Sequence, residues 1–130
     1  MQQKQEVHVP KLYLTLLNHL YEIERKTSGL EEFKKISRNI ERMKDAFKTE
    51  LNGSIDDTGL TYEDPMGQPY NETRIDLEAN ISGEGTDNLI VVDVIKPIIR
   101  IESENQGISR VVQKGVVIVE SNAGQTEIQQ

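Results

Sequence analysis

From Pro10 onward the apolar positions of the chain recur at helical spacing. Leu12, Leu16 and Leu20 lie four apart and Tyr13, Leu17 and Tyr21 fill the neighbouring stripe, the pattern of a helix with one buried face. Gly29 ends that run. Ser28 and Glu31 have the spacing of a capping box, in which hydroxyl and carboxylate satisfy each other's free amides, so a second helix is expected to start there. Leu30, Phe33, Ile36, Ile40, Met43, Phe47 and Leu51 then recur every three or four residues until Asn52 and Gly53. This predicts an amphipathic helix of about 20 residues, and with the first it makes an α-hairpin over residues 10–53, behind a loose N-terminus of residues 1–9.

The period changes after Ser54. The stretch SIDDTGLTYEDPMGQPYNET reads as loop, with turns expected at Asp57 to Gly59 and at Asp64 to Gly67. Short β-branched runs follow: Ile75 to Ile81, Leu89 to Ile95, Ile98 to Ile101, Ser109 to Val112 and Val116 to Val119. Pro97 cannot donate to a ladder, so it marks either a strand start or a bend between two short strands. Residues 54–120 are thus expected to form a linker loop and a small β-domain, and residues 121–130 a disordered tail. The fold class is α+β.

With 35% hydrophobic residues, two Phe and no Trp, the core is aliphatic and thin, and oligomerisation is a reasonable expectation. Stripes as continuous as those of the hairpin would be buried by a second copy in a four-helix bundle; the residues expected to dimerise are Leu16, Leu20, Phe33, Ile36, Ile40, Met43 and Phe47.

Charge divides the chain. Residues 1–51 carry 10 Lys and Arg against 8 Asp and Glu, whereas residues 52–130 carry 5 against 14, and the net charge is −7. An acidic domain is repelled by phosphate backbones and anionic lipid, so neither nucleic acid nor membrane is an expected partner. The absence of cysteine excludes thiolate chemistry and Cys-bearing metal sites and fits a reducing compartment. No secretory signal or apolar span is visible, and a cytoplasmic location is expected.

Candidate chemistry is sparse. His19 and Glu22 are an i, i+3 pair without further ligands at a useful spacing, and read as surface residues. The pairs Asp56–Asp57 and Glu63–Asp64 lack the alternation of a calcium loop, and Gly83 and Gly85 lack the rest of a phosphate loop. The sequons at Asn52, Asn71 and Asn80 read as chance matches. Lys34, Lys35, Arg38 and Arg42 are interleaved with acids, as on a solvated helix face. No enzymatic activity, cofactor or metal is expected; a small metal-dependent enzyme built on the acidic loops is a minor rival.

Three strings carry a resemblance. Gly67 to Tyr70 (GQPY) looks like G-x-P-[FY], Val91 to Lys96 (VVDVIK) like V-V-E-V-[LI]-Q, and Arg110 to Val119 (RVVQKGVVIV) like R-x-[LI]-R-x-[AG]-x-V-x-V. In this order, over about residues 12–119, the chain resembles the GrpE family, the nucleotide exchange factors of Hsp70 chaperones. Gln113 stands at the pattern's second Arg, and Pro97, Ile98 and Ile99 replace the family's K-G-Y.

The resemblance implies a truncated form lacking the family's long N-terminal helix. It further implies a homodimeric cochaperone whose β-domain binds the Hsp70 nucleotide-binding domain and promotes ADP release. Arg110 and Val119 match the family's contact positions, with Val117 and Arg100 beside them as further partner-binding candidates. The alternative is a non-catalytic dimeric adaptor that uses the same fold for another protein partner.

Overall fold

The computed structural model describes residues 9–51, 58–103 and 107–122. Most of the expected loose N-terminus and tail, the Asn52 sequon and the Asp56–Asp57 pair lie outside them. Among the described residues two helices, α1 (Lys11–Thr27) and α2 (Phe33–Thr49), precede seven strands. These are β1 (Thr58–Glu63), β2 (Pro69–Tyr70), β3 (Leu77–Ser82), β4 (Leu89–Lys96), β5 (Ile98–Ser103), β6 (Ile108–Gln113) and β7 (Gly115–Ser121). The class is α+β, a helical hairpin followed by a small β-region of two sheets.

The hairpin forms where the apolar periodicity places it, but not by the expected cap. Ser28 caps the C-terminus of α1: its hydroxyl turns back to the Arg25 carbonyl at 3.3 Å, and α2 begins after Glu32 with no side-chain cap. The expected capping box therefore does not form, because Ser28 is committed to the helix it ends.

One long antiparallel ribbon builds both sheets. Its first arm is β4 and β5, joined through Pro97, and its second is β6 and β7, joined through Lys114. β4 pairs with β7 in a four-stranded sheet of order β2-β4-β7-β3, and β5 pairs with β6 in a three-stranded sheet of order β1-β5-β6. Pro97 has no amide to offer and sits buried where the first arm changes sheets, so it is the bend. Gly115 faces it on the second arm, where a Cβ would come within 2.9 Å of both Ile98 and Leu77. β3 pairs with β7 in parallel, beginning at Leu77 rather than at Ile75, which is exposed. β1 and β2 lie inside the stretch expected to be loop. The turn expected at Asp64 to Gly67 is present: the Gln68 amide bonds the Pro65 carbonyl at 3.1 Å, and Gly67 takes φ +81°, a conformation open to glycine.

Two apolar clusters fill the interior. Leu77, Leu89, Val91, Val94, Val117 and Val119 from the inner face of the four-stranded sheet gather with Ile98 and Tyr21. Leu17, Leu20 and Ile40 from the hairpin gather with Leu60, Ile99 and Ile101 from the three-stranded sheet. Two polar ties reinforce the second contact. The Tyr62 hydroxyl donates to Glu24 at 2.6 Å, with Lys44 at 3.4 Å from both Glu24 oxygens. Asn18 and Gln113 exchange amide hydrogen bonds of 3.0 and 2.9 Å, and Gln113 also donates to the Pro97 carbonyl at 3.0 Å. Gln113 thus locks α1 to the ribbon's bend.

The residues expected to dimerise are divided by this packing. Leu20 and Ile40 are buried within the chain, and Phe33, Ile36 and Phe47 are half-buried against the same cluster, so their burial needs no second copy. Leu16 and Met43 remain exposed. No helix among the described residues is long and apolar enough to cross a membrane.

Candidate functional site

Arg74, Asp76, Arg100 and Glu63 form a charged network that holds the turn before β3 against the three-stranded sheet. Arg74 grips Asp76 with two hydrogen bonds of 3.0 and 2.9 Å, and a third bond of 3.1 Å reaches Asp76 from Arg100 on β5. Arg100 also pairs with Glu63 of β1, which accepts a further bond from Gln68 at 3.2 Å. Arg74 donates to Gln68 and to the Pro69 carbonyl, both at 3.1 Å, so residues 68–76 are pinned at several points. Bidentate guanidinium–carboxylate pairing is directional, and here it fixes the turns of residues 71–76 between β2 and β3.

The network also sets protonation. Arg74's hydrogen bonds, opposed by burial, hold the Asp76 carboxyl below its ordinary value of 3.8. Burial pushes Glu63 up, yet bonds from Arg100 and Gln68 carry it below its ordinary 4.5. A carboxyl depressed in the folded state stabilises the fold fully above its unfolded value, and that stability is lost as pH falls through the folded value. Asp76→Asn is therefore expected to lower urea stability by about 1–3 kcal/mol at pH 7. The gap from the unsubstituted chain should narrow from about pH 4 downward. Paired urea titrations at pH 7 and pH 3 check this, and a constant gap would refute it.

Beside this network lies an open depression of about 1050 Å³. Asn71 and Thr73 to Asp76 form one wall and Ser109 to Val112 of β6 the other, with Arg100 and Lys114 at its sides. Four cations therefore border one hollow in a chain of net charge −7. Arg74 and Arg100 are neutralised by Asp76 and Glu63. The side chains of Arg110 and Lys114 are exposed and have no ion pair or hydrogen bond among the described residues.

The structure thus brings together two of the four expected partner-binding residues and separates the others. Arg100 and Arg110 line the same depression, Arg100 already paired and Arg110 free. Val117 and Val119 are 0% exposed and belong to the core, so they cannot touch a partner. The reason is the strand period of two: β7 turns Val117 and Val119 inward and presents Val116, Ile118 and Glu120 on the opposite side. Val92 and Ile95 of β4 lie at its two register breaks and are 42% and 49% exposed. An outer sheet face on which Val116 and Ile118 lie opposite Lys96 and Asp93, with Val92 and Ile95 exposed at the register breaks, is what sequence reasoning missed. GVVIVE is a continuous apolar run, so the sequence alone does not say which parity faces in.

His19 is exposed, and the described residues hold no group of three or more His, Asp or Glu placed to bind a metal ion. Asn71 uses its side chain to accept from the Thr73 amide at 2.9 Å, and Arg25 donates to Asp93 at 2.7 Å, holding that carboxyl below its ordinary value. Comparison of the chain with family models, with curated proteins and with solved structures finds no match.

Proposed function

We propose that the chain is a GrpE-like cochaperone, which binds the nucleotide-binding domain of an Hsp70-type chaperone and promotes ADP release with no chemistry of its own. The observation that carries this reading is Arg110, exposed and unpaired at the position the family resemblance gives to the contact. A free guanidinium on a strand can donate directional, charge-assisted bonds to a partner carboxylate without first breaking an internal pair. The outer face of Val92, Ile95, Val116 and Ile118 would supply the apolar part of such an interface. Exchange then follows from differential affinity: a protein that binds the open form of the chaperone more tightly weakens ADP by the same factor.

Homodimerisation belongs to this proposal, in altered form. Leu12, Leu16 and Ile23 are exposed and fall within about 40° of one another around α1 at 100° per residue. A second copy would cover this stripe rather than the face of Leu20 and Ile40.

Release of a fluorescent ADP analogue from the same organism's Hsp70 tests the reading. The chain should accelerate release, and Arg110→Ala should reduce the effect about tenfold at limiting concentration while leaving the circular dichroism spectrum unchanged. An unaltered release rate would remove the exchange function. The adaptor reading would then stand, and two observations favour it: Gln113 is spent on Asn18 and Pro97, and Val117 and Val119 are core residues.

A further inference from the structure

We propose that the free edge of β6 is a strand-addition site for an extended acidic segment of a partner protein. This inference is independent of the exchange reading and would survive its failure.

Among the described residues β6 has a single neighbour in the three-stranded sheet, β5, so one side of its backbone has no described strand to pair with. The depression exposes that side. Ser109, Arg110, Val111 and Val112 all line it, although consecutive residues of a strand point to opposite faces. What four consecutive residues have in common is the strand's edge. The register agrees: Arg110 lies opposite Ile101 and Val111 opposite Arg100, so Arg110 and Arg100 reach the hollow from the two faces of the sheet. The opposite wall, residues 71–76, is fixed by the Arg74–Asp76–Arg100 network, which leaves the hollow standing open beside the edge. β6 has six residues, a run of roughly 20 Å for main-chain pairing.

Charge selects the occupant. Exposed edges commonly carry Lys or Arg to discourage pairing with another copy, and Arg110 and Lys114 do so here, since a second β6 would bring the same cations to the same edge. The same two charges attract a segment bearing carboxylates. Such a segment would hydrogen-bond through its backbone, place an acidic side chain toward Arg110, meet Lys114 past the end of β6, and set apolar side chains against Val111 on the other face.

The test uses fluorescein-labelled Glu-Val-Glu-Val-Glu-Val, its Lys-Val counterpart, and the acidic peptide N-methylated at every residue, in anisotropy titrations of the whole chain at low salt. The acidic peptide should bind at least about tenfold more tightly than the other two. The double variant Arg110→Glu, Lys114→Glu should lose about tenfold, and binding should slow hydrogen exchange of β6 amides. Both substituted positions are exposed, so the variant should keep its far-ultraviolet spectrum. Equal binding of the N-methylated peptide would overturn strand addition in favour of plain electrostatics. β6 amides already protected in a sedimenting dimer would assign the edge to a second copy, and no binding of the acidic peptide up to millimolar concentration would also refute the proposal.

Discussion

Ile40→Asp is expected to unfold the chain, not merely to dissociate it. Ile40 is 1% exposed, near the middle of α2, in the cluster that joins Leu17 and Leu20 to Leu60, Ile99 and Ile101. Removing its side chain forfeits about 2–5 kcal/mol of burial and packing. The carboxylate put in its place has no cation in that cluster, and burying it unpaired costs several kcal/mol more unless it takes up a proton. A domain of this size is stable by only about 5–15 kcal/mol, so the sum removes most or all of the margin. Met43 offers the internal control, because it lies on the same helix and is 44% exposed. Met43→Asp should stay within about 1 kcal/mol of the unsubstituted chain, whereas Ile40→Asp should show no cooperative urea transition. A folded, monomeric Ile40→Asp variant would mean that the hairpin does not share its core with the sheet.

That contrast shows what the apolar periodicity conveys and what it omits. The stripes of α1 and α2 were legible because a 3.6-residue period survives any choice of partner. The partner was not, since a stripe packed on a sheet and a stripe packed on a second hairpin look alike in sequence. Likewise, Ser28 and Glu31 had the right spacing for a capping box, but spacing does not tell which of two adjoining helices a serine will serve. Arg100 and Arg110 were candidates only through the family resemblance, not through the residue pattern, and both border the depression. Val117 and Val119 failed as contacts because the inward parity of β7 is set by Val91 and Val94 across the sheet, with which they pair.

β1 was missed for a related reason. DTGLTYED has the composition of a turn, and only Leu60 and Tyr62 alternate within it. Its strand conformation comes from outside: six register pairs with β5 from Thr58–Ser103 to Glu63–Ile98, and burial of Leu60 to 1% exposure beneath the hairpin. Tertiary pairing outweighed local propensity, as it commonly does for strands.

Gly59→Ala is the second substitution with a large expected effect, and it tests that outside support directly. Gly59 is buried in β1 without a positive φ, so a turn does not require the glycine there. Close approach does: a Cβ built on Gly59 would sit inside the carbonyl group of Lys48, in the last turn of α2. Backbone cannot rotate aside as a side chain can, so α2 must lift or β1 must part from β5. Lifting α2 opens the cluster around Ile40 and Leu60, and parting β1 strips the pairs that make it a strand. Either response should cost about 3 kcal/mol or more, at the upper end of what overpacking exacts. Gly29, where an added Cβ meets nothing within 4 Å, provides the comparison; Gly29→Ala should be neutral or stabilising by up to about 1 kcal/mol through the unfolded chain. Urea midpoints of the two variants measure the difference. If Gly59→Ala matched Gly29→Ala, the end of α2 would not rest on β1, and the junction that holds the three-stranded sheet and its β6 edge in place would have to be redrawn.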